Sequence, residues 1–247
     1  MEYGEYCDAV HDEGHALAAA ARAAGVEARV PSCPEWIVAD LLGHVGRLHR
    51  WVGAIVESHG DDPADHWPDA EPPLPDERFD WFEAGVDLIT GALRGADPAA
   101  EAWSWTDDRT VGFWARRQAN ETAVHRWDAQ GAAGAVEPIE HDLAVDGIDE
   151  FFALIPFWRR ESSVRGAGET IHLHCTDGAD NDDRGEWLVR LASDAVIVTR
   201  EHAKGDVAAR GSASDLLLLL YGRVAPAALE VFGDASLLTR WQELVRW

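Results

Sequence analysis

A break of small residues, Gly131 to Pro138 (GAAGAVEP), divides this chain into two unlike halves. Before it, apolar residues recur at helical spacing over long stretches. Beyond it come short strand-like runs split by Asp, Asn and Gly. A helical period and a strand period bury different faces, so the two halves require different layers. Over 247 residues the expectation is a helical domain at 1–135 and an α+β domain at 140–247.

Within the first half, Tyr3 to Ala24 reads as a helix through Val10, Leu17 and a series of alanines, closed by a turn from Gly25 to Pro31. Ile37, Leu41, Val45, Leu48, Val52 and Ile55 set a second helix that ends near Glu57, with Ser32 and Glu35 at capping-box spacing and Pro34 in the first turn. In angle His44 falls between Leu41 and Leu48 and is expected to face the core. His49, about 140° further round, is expected to be exposed. An acidic, proline-rich connection, Gly60 to Glu77, leads to a third helix, Arg78 to Leu93, with Phe82, Val86 and Ile89 on one face. A loop from Gly95 to Thr110 carries Trp103 and Trp105, which either wall a pocket or pack on the helices. The fourth helix spans Val111 to Gln130. In the second half, Leu143 to Trp158 reads as a helix. Residues 170–176, 186–191 and 195–200 read as strands, followed by a helix at Ser212 to Gly222, a strand at Ala228 to Phe232 and a closing helix at Ala235 to Trp247. The expected sheet is small and antiparallel, with its helices on one side.

Glu121 and His125 stand four apart in the fourth helix, on a stripe with Trp114, Gln118 and Ala129, while Arg116, Arg117 and Arg126 point to other sides. Such a pair can hold one divalent metal if a third ligand arrives from elsewhere, and His44 is the candidate. Two histidines and one glutamate on zinc leave a fourth position open, the mark of a catalytic rather than structural site. That position suits a water or a thiolate. Asp128 and Asp40 are candidate acceptors for a ligand imidazole, Asp128 lying to one side of the pair. His11 with His15 is a rival metal pair; His172 and His174, on one strand face, read as surface or interdomain residues, with metal binding the alternative. Cys33 is either a thiol activated at a helix mouth or a small packing residue.

VPSCPEWIVADLLGHVGRLHRW resembles the N-terminal signature of the mycothiol-dependent maleylpyruvate isomerase family, and NETAVHRWDAQ its second signature, E-x-x-x-H-R-W-D. DLLLLLYGR is similar to the family's closing motif. The resemblance implies a DinB-like four-helix bundle followed by a small antiparallel-sheet α+β domain, with zinc on His44, Glu121 and His125. Another divalent metal is an alternative. It implies mycothiol as the thiol cosubstrate and a catalytic arginine at Arg223, whose planar fork matches a substrate carboxylate. In the isomerase, the thiolate adds to the cis double bond of maleylpyruvate, the new single bond rotates, and elimination gives fumarylpyruvate. An S-transferase acting on a small electrophile would use the same arrangement. The alternative to an enzyme is a non-catalytic metal-binding stress-response protein, or a small-molecule binder, that keeps the bundle.

A net charge of −24, with Lys204 the single lysine, excludes a phosphate-neutralising surface for nucleic acid or an anionic membrane. The expected partners are a small electrophile and a low-molecular-weight thiol, and the expected state is a monomer or weak dimer. Three cysteines without C-x-x-C spacing, no basic-apolar leader and no apolar run longer than Leu216 to Tyr221 give a cytoplasmic expectation.

Overall fold

The computed structural model describes residues 1–58, 72–157, 164–178 and 185–245. The chain divides into two compact units, Met1–Glu137 and Pro138–Trp247.

The first unit is four helices: α1 (Tyr3–Ala24), α2 (Val38–Glu57), α3 (Arg78–Gly95) and α4 (Val111–Ala133). α1 packs chiefly on α4 and α3, and α2 chiefly on α3. Leu17, Ala21, Leu41, Leu42, Val45, Phe82, Val86 and Ala129 meet in one core. Close approach of α2 and α3 depends on Gly46, where a Cβ would stand 2.3 Å from the Trp81 ring. Arg50, one turn on, stacks over the same indole at 3.9 Å and donates to the Trp81 carbonyl. α4 begins on Thr110, whose hydroxyl accepts from the Phe113 N–H, and stops at Gly134, in the left-handed conformation at φ +83°.

One local expectation is corrected here. The capping box at Ser32 and Glu35 does not form. Backbone bonds from Val30 to the Trp36 carbonyl and from Trp36 to the Cys33 carbonyl fold residues 30–36 into a tight loop, and α2 starts only at Val38. Its first turn is capped by Asp40, which accepts from the Ile37 N–H at 3.1 Å. Of the two readings open for the tryptophans before α4, packing on the helices is the one seen: Trp51, Trp103, Trp105 and Trp114 meet edge to face, and Trp114 Nε1 donates to the Trp103 carbonyl at 2.6 Å. The acidic connection lies, from 59 to 71, outside the described residues.

The second unit comprises α5 (His141–Leu154), β1 (Glu169–Cys175), β2 (Glu186–Leu191), β3 (Val196–Thr199), β4 (Val207–Gly211), α6 (Ala213–Leu220), β5 (Glu230–Gly233) and α7 (Ser236–Leu244). The strand order is β3-β2-β1-β4-β5. The sheet is mixed rather than wholly antiparallel, because β1 and β4 pair in parallel while the other neighbours are antiparallel. β4, sequence VAARG, has no β-branched run to announce it. It is a strand because β1 and β5 flank it and Val207 and Ala209 are buried. Ile171, Leu173, Trp187, Val189 and Leu191 are buried in register with it, and α6 lies against β1 and β4. No helix among the described residues is long and apolar enough to cross a membrane.

Candidate metal centre

α4 presents Glu121 and His125 one turn apart, and α2 brings His44 to them. His125 Nε2 is 3.2 Å and His44 Nε2 3.5 Å from Glu121 Oε1, and the two imidazole centroids are 5.3 Å apart. One ligand atom from each residue lies within 4.8 Å of the others. Trp36, held in the loop before α2, lies alongside both imidazoles, its centroid 5.0 Å from His44 and 6.0 Å from His125.

Helix and loop residues then fix each group. The other nitrogen of His125, Nδ1, is 2.9 Å from Asp128 Oδ2, and Asp128 accepts in turn from the Ser32 hydroxyl. This relates imidazole to carboxylate as metal-ligating histidines commonly are, leaving Nε2 to face Glu121 and His44. Arg117 donates to Glu121 Oε2 from the preceding turn, so the expectation that Arg117 points elsewhere fails. Its guanidinium is buried and reaches forward along the helix to the carboxylate. Arg126 does point elsewhere, to Glu13, Gln130 and the Glu137 carbonyl.

Burial alone would raise the Glu121 carboxyl. The charge of Arg117, then the hydrogen bonds to His125 and His44, hold it well below the usual carboxylate range. Burial alone would likewise lower His125, but its hydrogen bonds to Asp128 and Glu121 outweigh that and push it up to about 9. Glu121 is therefore a carboxylate at neutral pH, and His125 in the metal-free protein carries a proton that a cation would displace.

The two histidines of α2 exchange the surroundings expected of them. His44 keeps 39% of its side chain exposed, whereas His49 is fully buried, 3.0 Å from Thr122 Oγ1 and beside Phe82. The buried stripe of α2 runs through Val38, Leu42, Val45, His49, Val52 and Val56, a spacing the sequence already offers at three and four residues. Burial, with Arg50 adding to it, lowers His49 to about 3, so it is neutral at physiological pH. Asp40 caps α2 and is spent there. Cys33 is half-buried and packs against the core, with Sγ 3.9 Å from Asp128 Oδ2. Arg223 belongs to the second unit, just past α6, where it donates to the Tyr221 carbonyl at 3.1 Å. His11 and His15 gather with Asp87 as a separate group.

The donor set, two neutral-capable imidazoles and one carboxylate, fits a zinc-class ion with one position left over. Residues 7–130 match the family model described as the mycothiol maleylpyruvate isomerase N-terminal domain, and residues 142–240 match the C-terminal domain of the same family. The chain belongs to the mycothiol maleylpyruvate isomerase family. The solved mycothiol-dependent maleylpyruvate isomerase superposes on it with a TM-score of 0.61 at 12% identity, covering 94% of this chain and 93% of that one. A histidine-to-alanine mutant of that isomerase gives 0.63, also at 12% identity, with the same coverage of each chain. Those likenesses speak for the fold. No curated protein matches.

Proposed function

We propose that this member of the family is a zinc- and mycothiol-dependent enzyme that isomerises a small electrophile of the maleylpyruvate type. The observation carrying this reading is the convergence of His44 Nε2, Glu121 Oε1 and His125 Nε2 beside Trp36. In this reading those three residues hold the ion. Bound there, zinc favours the thiolate form of a thiol in its open position at neutral pH.

The remaining work falls to the chain's own groups. Arg117 fixes the Glu121 carboxylate, and Asp128, held by Ser32, fixes the plane and tautomer of His125. Trp36 walls one side of the two imidazoles. Arg223 is proposed to take the substrate carboxylate through its guanidinium fork. Thiol addition and its reversal leave no net change of redox state, so no further cofactor is required.

The test is metal content and turnover together. Zinc-loaded protein should convert maleylpyruvate to the trans isomer only with mycothiol present. His125→Ala should lose zinc and activity while circular dichroism retains the helices. A stable thiol conjugate in place of the isomer assigns an S-transferase. Full zinc occupancy in His125→Ala, or equal turnover without the thiol, overturns the proposal.

A further inference from the structure

The alternation of β1, ETIHLHC, sets Ile171 and Leu173 toward the buried side of the sheet and His172 and His174 on the other. In the antiparallel register with β2, His174 stands opposite Glu186, which therefore shares the histidine face. Three residues past β3, His202 joins them. One carboxylate thus meets three imidazoles: Glu186 Oε2 is 2.7 Å from His172 Nε2, and Oε1 is 2.6 Å from His174 Nδ1 and 2.8 Å from His202 Nδ1. Of the surface or interdomain positions expected, the exposed one does not hold for His172, which is only 6% exposed.

We propose that His172, Glu186 and His202 form a second metal site, for a divalent transition ion of the zinc, cobalt and nickel class. Their ligand atoms lie within 4.8 Å of one another. Two imidazoles and a carboxylate suit such ions, whereas magnesium and calcium call for all-oxygen surroundings. Bonds of about 2.0–2.1 Å in a tetrahedron place ligand atoms about 3.3 Å apart, so the 2.7 and 2.8 Å contacts that Glu186 makes to His172 and His202 must open by about half an ångström. His202, 74% exposed, is free to make that adjustment and leaves the outer position to solvent. His174 holds the carboxylate from its own strand.

Two other clusters lack this build. The His11, His15 and Asp87 side chains are each more than a third exposed, and His11 is already engaged by Asp12. In the cluster of His141, Cys175 and Asp177, burial first and then Asp177 push the thiol up to about 11. The ion at Glu186 would tie the segment after β3 to the middle of the sheet. It is independent of the site on α2 and α4.

The experiment uses full-length, metal-free His44→Ala/His125→Ala protein, so that loss of the proposed catalytic metal cannot be mistaken for loss of this one. Cobalt(II) titration, read by visible absorption and calorimetry, should show one saturable equivalent. Adding His202→Ala, an exposed change that spares the fold, should weaken binding by more than about a hundredfold, beyond the cost of losing an outer hydrogen-bond partner. His15→Ala should leave it unchanged. Lys204, exposed and two residues past His202, is the chain's one lysine. Cleavage there by a lysine-specific protease should therefore slow by about tenfold or more at saturating metal, and not in the His202→Ala protein. No saturable binding, binding indifferent to His202→Ala, or cleavage indifferent to metal would overturn the proposal.

Discussion

Nδ1 of His125 lies 2.9 Å from Oδ2 of Asp128, one turn further along α4, and Asp128 is fully buried. One ring nitrogen is thus committed inside the helix's own face while the other is turned toward Glu121 and His44. Asp128→Asn keeps the shape but removes the charge that selects this ring orientation. Zinc affinity, measured by chelator competition, should fall about 10–100-fold with the helical spectrum unchanged. Unaltered affinity would show that packing alone orients the ring.

The proton on His125 sets a pH dependence. In the metal-free protein its pKa is raised from 6.5 to about 9. Metal needs the bare nitrogen, so binding releases that proton. Affinity should rise about tenfold per pH unit from 7 and level off near 9. Linkage acts oppositely on the metal-free fold. The raised pKa contributes stability that is complete below about 6.5 and lost as pH climbs through about 9. Metal-free protein should therefore melt progressively lower over that interval, and His125→Gln should flatten the trend. A pH-independent zinc affinity between 7 and 9 would refute the protonated state.

Arg223→Lys keeps the positive charge and loses the planar fork. If Arg223 takes a substrate carboxylate, kcat/KM for an anionic electrophile should fall about ten- to a hundredfold, equivalent to about 1.4–2.8 kcal/mol, with zinc content unchanged. An uncharged electrophile should lose far less. Equal losses on both would make Arg223 structural.

Gly46→Ala tests the helix packing beneath the site. The added Cβ would stand 2.3 Å from the Trp81 ring, which Arg50 pins from above. Overpacking of this kind costs about 1–3 kcal/mol, so denaturant melts should show a lower midpoint. An unchanged midpoint would mean that Trp81 yields freely.

Much of this architecture was readable from residue spacing. α3 and α4 begin where expected, β2 spans the expected residues, and Phe82, Val86 and Ile89 share the buried face of α3. The pairing of Glu121 with His125 followed from their separation of four. β4 was not readable, because its Val207 and Ala209 become strand residues only between β1 and β5. His49 was misread because two apolar stripes on α2 compete, and both fit helical spacing.

What the sequence determined by itself is the set of relationships inside one element. Glu121, His125 and Asp128 lie on adjacent turns of one helix, and His172 and His174 on one face of one strand, because backbone geometry sets those spacings. Only the tertiary structure decided what meets them. His44 arrives from α2, Ser32 from a loop 96 residues away in sequence, and His202 from beyond β3. The face of α2 that is buried depends on α3 and α4, and no local period specifies which neighbours will cover it.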